Sequence, residues 1–183
     1  MTETSENSPR STFVTVVAWI FIVLAGFTTA IGILQNIMIN TVFPLDQMQH
    51  GLAQAKGHPP MPAFFAFMFE NIRAIFLAVL ILSATTFVSS IGLLRRKNLA
   101  RVVFICLMVF GIAWNVFSIA IQQYMLSSMP EFQVNVPADV RAQADLFSKG
   151  ILIFSFIMAA GFSILFGWII KRLLSPSIKG EFT

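Results

Sequence analysis

The sequence predicts an all-α polytopic membrane protein, an antiparallel bundle of four transmembrane helices with short extramembrane helices on its outer face. Hydrophobic residues make up 57% of the chain and charged residues only 11%, and the mean hydropathy is +0.81, which lies outside the usual range for soluble domains. Four stretches contain no Asp, Glu, Lys or Arg: 11–45, 74–94, 102–130 and 150–170. About 20 helical residues cross the hydrocarbon core of a bilayer, and a helix leaves no backbone amide unpaired there. Each stretch therefore predicts one spanning helix.

The spans are predicted at about 13–38, 72–94, 102–126 and 150–171, inside one membrane domain of residues 12–174. We expect residues 1–11 to be a disordered N-terminus, 175–183 a short tail, and 39–71 and 127–149 two long loops. The leader before the first span holds two glutamates against one arginine, and the span is too long for the apolar core of a signal peptide. The first span is therefore expected to be retained.

Basic residues are shared unevenly between the two sides of the predicted membrane. The side with both termini and the turn at 95–101 holds eight Lys and Arg residues, and the other side holds four. Because cytoplasmic loops are enriched in Lys and Arg, both termini are predicted to be cytoplasmic. The candidates for anchoring the helices at the lipid phosphates are Arg95, Arg96, Lys97, Arg101, Lys171 and Arg172. The alternative is specific binding of an anionic lipid headgroup. Since the cations cluster at the ends of apolar runs, the pI near 9.7 does not predict a nucleic-acid partner.

The two long loops fall on the outer face in this topology. The first, FPLDQMQHGLAQAKGHPPMP, predicts a short amphipathic helix that starts near Asp46, carries Lys56 near its end and is capped by Gly57. The aromatic stretch PAFFAFMFENIRAIF follows, either as an interfacial extension of the second span or as a groove for a lipid or partner helix. In the second loop an apolar stripe leads into the fourth span, so that helix is expected to begin outside the hydrocarbon.

Ionisable residues are missing from the middle of every predicted span. Coupled transporters usually need such a residue there, and haem ligation needs histidines within the spans. The two histidines, His50 and His58, lie instead in the first outer loop. The sequence therefore disfavours both functions and predicts no cofactor. A single cysteine, Cys106, excludes an internal disulfide.

Two faces of the predicted spans carry signals for helix packing. In the fourth span small residues recur at every fourth position and form a seam for close helix approach: Ser155, Ala159, Ser163 and Gly167. In the third span a polar face follows a spacing of four, three and four: Gly111, Asn115, Ser118 and Gln122. Amides in lipid need hydrogen-bond partners. This polar face is therefore expected to bond to neighbouring helices, line a conduit, or form an oligomer interface.

One group in the first outer loop could bind a metal ion. Asp46 and His50 are four residues apart and would project from one side of a helix, and His58 follows beyond the predicted helix end. Ordinary surface residues are the competing interpretation, because no zinc-enzyme motif accompanies them. The chain also lacks a nucleophile elbow and a glycine-rich phosphate loop. No catalytic residue is assigned.

The turn IGLLRRKNLARVVFI resembles one found in uncharacterised small bacterial inner-membrane proteins with four helices, many of which carry tryptophan where this chain has Leu99. The resemblance implies a place in the bacterial inner membrane and no activity. The leading hypothesis is a non-enzymatic accessory or scaffold subunit that associates with itself or with other membrane proteins. The alternatives are a passive channel or lipid or small-molecule transporter lined by the polar face of the third span, and an outer-face enzyme built on His50, His58 and Glu70.

Overall fold

The computed structural model describes residues 11–42, 63–127 and 138–182, and every regular element in these ranges is helical. The helices are α1 (Thr12–Thr41), α2 (Ala63–Glu70), α3 (Ile72–Leu94), α4 (Asn98–Ser127), α5 (Ala138–Leu173) and α6 (Pro176–Lys179). The chain divides into two compact units, residues 1–101 with Thr183, and residues 102–182. Each unit is organised around two long apolar helices that run antiparallel, which confirms the predicted all-α fold class.

Four helices are long and apolar enough to cross a membrane: α1, α3, α4 from Asn98 to Met125, and α5 from Leu146 to Leu173. At most 22% of the apolar window of any of these helices is buried inside the protein. Large apolar side chains such as Val23, Phe27 and Leu34 are exposed instead. Soluble proteins do not leave continuous apolar surface of this extent in water. The chain is a multi-pass membrane protein, and the bilayer covers these side chains.

In the first unit α1 and α3 approach closely at glycine positions. A Cβ added at Gly26 would lie only 3.1 Å from Cε2 of Phe87. Ten residues further along α1, Nδ2 of Asn36 donates a hydrogen bond to the carbonyl of Phe76 at 3.2 Å. Residue numbers rise along α1 while those of the partners fall along α3, so the pair is antiparallel. Small residues allow the van der Waals contact that holds helices together in lipid.

α3 ends in a Schellman motif that has arginine where glycine is usual. Arg96 adopts a φ of 57°. Its N–H donates to the carbonyl of Leu93 and the N–H of Lys97 donates to the carbonyl of Gly92, both at 3.0 Å. These bonds satisfy carbonyls that the helix end would otherwise leave unpaired. The left-handed conformation costs a residue with a Cβ about 1–2 kcal/mol, so other contacts must stabilise Arg96.

The side chain of Arg96 supplies such contacts. Its Nη2 donates to the carbonyl of Ser11 at 3.0 Å and lies 3.4 Å from Oγ1 of Thr15. Ser11 is the N-cap residue of α1, so the guanidinium connects the start of α1 to the end of α3. On the other side of the turn, a Cβ added at Gly92 would collide with Cβ of Ala100, which shows how closely the first turn of α4 approaches α3.

In the second unit α4 and α5 form the other antiparallel pair. A Cβ added at Gly111 would lie 2.8 Å from the ring of Phe166, and Gln122 donates a hydrogen bond to Ser155. The apolar side chains buried in this unit are Phe104, Met108, Ala159, Ile169, Leu173, Ile178 and Phe182. The last two come from α6 and the residues that follow it. The predicted C-terminal tail therefore contributes to the buried part of this unit.

Most hydroxyl groups within α1 and α3 are satisfied by the backbone of their own helix. Each donates to a carbonyl three or four residues earlier, as do Thr28, Thr29, Thr41, Ser83, Thr85, Thr86, Ser89 and Ser90. A hydroxyl bonded in this way can lie in lipid without a partner on a second helix. These residues therefore give no indication of a polar pathway through the membrane.

The predicted loops are described only in part. The amphipathic helix predicted from Asp46 to Lys56 lies outside the described residues, as do the first residues of the second loop, 128–137. The aromatic stretch at 63–70 forms α2, a separate short helix that meets α3 at Asn71. α5 begins at Ala138, twelve residues before the span predicted at 150–171, so this helix extends well beyond the apolar run.

Candidate functional site

The polar face predicted for the third span lies on α4 and meets α5 at two points. Gly111 faces the ring of Phe166, and Nε2 of Gln122 donates to Oγ of Ser155 at 3.4 Å. The two points are 11 residues apart on each helix. At about 1.5 Å of rise per residue, they are separated by about 16 Å along the helix axes.

An open groove of about 680 Å³ lies along α4 and α5 in this region. The antiparallel register set by the two contacts places Ser118 level with Ala159, and Asn115 level with Phe162. Because Ser118 and Ala159 are small, they leave the space between the helices unfilled. The apolar part of the wall consists mainly of Ile119, Met125, Phe154, Met158 and Phe162. This is a mostly apolar cavity with a few polar groups, as in many small-molecule sites.

The polar groups of the groove are only partly hydrogen-bonded. Ser118 donates to the backbone carbonyl of Asn115 at 2.9 Å, and one N–H of Gln122 is used by Ser155. The half-buried side-chain amide of Asn115 makes no hydrogen bond within the part of the chain that the structure describes. An amide offers two donors and a carbonyl. The groove therefore presents hydrogen-bonding capacity at a depth where water is scarce.

The small-residue seam predicted for the fourth span is divided between two environments. Ser155 and Ala159 form part of the groove wall, and Ala159 is buried. Ser163 is half-buried. At Gly167 no atom from elsewhere in the described structure lies within 4 Å of where a Cβ would be. The first half of the seam thus faces α4, and the space beside Gly167 is open.

An aromatic stripe on α4, formed by Phe110, Trp114 and Phe117, was not singled out from the sequence. The rings of Phe110 and Trp114 stack with centroids 6.2 Å apart, and Trp114 and Phe117 lie at 5.7 Å. The three side chains are 48%, 55% and 54% exposed, and none of them lines the groove. Their spacing of four and three places them on one helix face. That spacing was a signal available in the sequence.

Trp114 differs in depth from the other two tryptophans. Trp19 lies seven residues after the start of α1, and Trp168 lies five residues before the end of α5. Trp114 is 16 residues after the start of α4 and 13 before its end, close to the middle of the span. Tryptophan is enriched at membrane interfaces, where its N–H finds a partner. Among the described residues the indole N–H of Trp114 has no hydrogen bond.

The basic residues predicted to anchor the chain fall into two groups. Arg95 and Lys97 are exposed in the turn between α3 and α4, and Arg96 is half-buried against Ser11. Arg101 is 6% exposed, so its side chain is buried and does not lie on the surface of the turn. At the end of α5, Lys171 and Arg172 are exposed in the last turn, where positive charge is favourable for the helix dipole.

The candidate metal ligands Asp46, His50 and His58 lie outside the described residues. Within the ranges that are described, no group of three His, Cys, Asp or Glu residues could hold a metal ion. Cys106 is exposed on α4.

Comparison with known proteins finds no matching family model, no matching curated protein and no matching solved structure.

Proposed function

We propose that this chain is a non-enzymatic accessory or scaffold subunit, which associates within the bilayer with another membrane protein or with a second copy of itself. The observation that carries the proposal is the position of Trp114, half-exposed near the middle of α4. The aromatic stripe of Phe110, Trp114 and Phe117 is the proposed contact surface.

The cost of an unpaired polar group in hydrocarbon supports this assignment. At the middle of a span neither water nor lipid headgroups can accept a hydrogen bond from an indole N–H. A carbonyl or hydroxyl on a partner helix can accept it. Stacked aromatic rings also bury a large area at low entropic cost, and aromatic residues are enriched in the cores of protein interfaces.

We further propose that both termini face the cytoplasm of a bacterial cell, with the chain in the inner membrane. This orientation rests on the excess of Lys and Arg on the side of the termini, and the bacterial assignment on the resemblance of the turn at 91–105. Anionic headgroups on that side would bind the exposed residues Arg95, Lys97, Lys171 and Arg172.

The test compares two tryptophans of similar exposure at different depths. Trp114 is 55% exposed and Trp19 is 54% exposed. The native mass of the complex extracted from membranes in mild detergent is expected to exceed that of one 20.3 kDa chain. Trp114→Leu is expected to reduce the mass to a single chain with bound lipid, whereas Trp19→Leu leaves it unchanged. A single-chain mass for the wild-type protein would contradict the proposal.

A further inference from the structure

We propose that the groove between α4 and α5 binds a lipid-soluble amphiphile, a molecule with an apolar chain and one hydroxyl or carbonyl group. The groove lies within the membrane-spanning parts of both helices, so its occupant reaches it from the lipid phase. This proposal is independent of partner binding through the aromatic stripe, because Trp114 is not part of the groove wall.

The length of the groove suits a hydrocarbon chain. Its lining residues run from Asn115 to Met125 on α4, which is about 15 Å along the helix axis. The groove is a channel between two helices, and an extended apolar chain can lie along it.

The walls of the groove favour the same class of occupant. Met125 and Met158 are long, flexible and polarisable, and such side chains adapt to the shape of an apolar ligand. Phe154 and Met158 are 64% and 42% exposed, so the groove is open along its edge and a chain can enter from the side.

The polar groups define where the hydroxyl or carbonyl of the amphiphile binds. Asn115 offers two donors and one acceptor, and Gln122 retains an N–H and its carbonyl after bonding to Ser155. A hydroxyl group can both donate to and accept from Asn115, and a carbonyl can accept from it. The chain of the molecule then runs past Ser118 and Ala159, where the wall is recessed.

Photolabelling of the full chain in phosphatidylcholine vesicles tests the proposal. A long-chain alcohol with a diazirine in mid-chain is expected to label groove residues of α4 and α5 in a saturable way. A long-chain alcohol is expected to compete, and an alkane of equal length is not. A parallel experiment places the diazirine in phosphatidylcholine. Labelling of the groove by the alcohol and not by this lipid supports the proposal, whereas equal labelling by phosphatidylcholine would show that a bilayer phospholipid lies there and would overturn it.

Four variants separate occupancy of the groove from other effects. Ala159→Phe fills the recess, and we expect loss of the saturable labelling, with Ala159→Leu giving a smaller loss. Gly161→Phe adds the same ring where no atom lies within 4 Å of an added Cβ, and we expect labelling to persist. Asn115→Leu is expected to weaken competition by the alcohol about tenfold, which corresponds to about 1.4 kcal/mol.

Several results would overturn the proposal. Labelling that does not saturate, or that is unchanged in Ala159→Phe, would show that no chain occupies the recess. A crosslink between two copies of the protein at the groove, in place of a lipid adduct, would show that a second copy and not an amphiphile covers it. Equal competition by the alcohol and the alkane would show that Asn115 does not bind a polar group of the ligand.

Discussion

Arg96 and Ser11 are 85 positions apart in the sequence and are joined by a hydrogen bond of 3.0 Å from the guanidinium to the backbone carbonyl. This contact connects the residue that terminates α3 to the residue that precedes α1. It also explains why an arginine occupies a left-handed position that usually selects glycine. The side chain contributes a tertiary contact that glycine could not make.

The two roles of Arg96 can be separated by comparing two substitutions. Arg96→Ala loses the side-chain hydrogen bonds and keeps the unfavourable φ, whereas Arg96→Gly loses the same bonds and relieves the backbone. We expect both variants to be less stable than the wild type, with the alanine variant less stable than the glycine variant by about 1 kcal/mol. Reversible unfolding by SDS titration in mild detergent measures the difference. Equal stability of the two variants would show that the backbone is not strained.

Two glycines in the long helices are expected to respond to alanine with opposite signs. At Gly92 an added Cβ meets that of Ala100, and both are carried on backbone that cannot move independently. We expect Gly92→Ala to cost about 1–3 kcal/mol through overpacking. At Gly161 the space is open, so Gly161→Ala is expected to stabilise the helix by up to about 1 kcal/mol. Thermal unfolding followed by circular dichroism distinguishes the two variants. A loss of stability of equal size at both sites would contradict the close contact between Gly92 and Ala100.

Two asparagines on α1 provide a matched test of the hydrogen bond between α1 and α3. Asn36 donates both to Gly32 in its own helix and to Phe76 on α3, whereas among the described residues Asn40 donates only to Asn36. Hydrogen bonds between membrane helices contribute about 0.6 kcal/mol on average and at most about 1.7 kcal/mol. We expect Asn36→Leu to lower the free energy of unfolding by an amount in this range.

Asn40→Leu is the control, because the side chain of Asn40 is exposed and, in the part of the chain that the structure describes, bonds only within α1. It is expected to change the free energy of unfolding by less than about 0.5 kcal/mol, as surface substitutions usually do. The comparison fails if the two variants behave alike, which would mean that the bond to Phe76 contributes nothing measurable.

The helices could be predicted from the sequence because their length and apolar content are dictated by the bilayer. An uncharged run such as 102–130 has no other stable conformation in hydrocarbon. The grouping of Gly111, Asn115, Ser118 and Gln122 on one face also followed from helical periodicity alone. These features depend only on residues close together in the chain.

The groove could not be predicted in the same way, because it depends on the register between two helices. That register places Ser118 level with Ala159, and it is set by the fit of the Phe166 ring against Gly111 and by the bond from Gln122 to Ser155. Helical periodicity identifies which residues share a face, but it does not show which residues of the neighbouring helix lie opposite them. The left-handed Arg96 was also beyond prediction, since its partner Ser11 is far away in the sequence.

The proposed orientation can be tested with cysteine substitutions that replace no Lys or Arg residue. Cys106 is exposed, so it is first replaced by serine. Leu99 is 77% exposed beside the basic residues of the turn, and Leu99→Cys therefore reports on the side where that turn lies. Ala55→Cys reports on the first long loop, which the sequence assigns to the opposite side.

We expect a membrane-impermeant maleimide to label Ala55→Cys on intact cells and to label Leu99→Cys only after the membrane is opened. The reason is that Lys and Arg are retained on the cytoplasmic side during insertion, and the turn at 95–101 holds four of them within seven residues. Labelling of Leu99→Cys on intact cells would show that the orientation is the opposite of the proposed one. It would also place Arg95 and Lys97 opposite the leaflet surface whose anionic lipids are proposed to bind them.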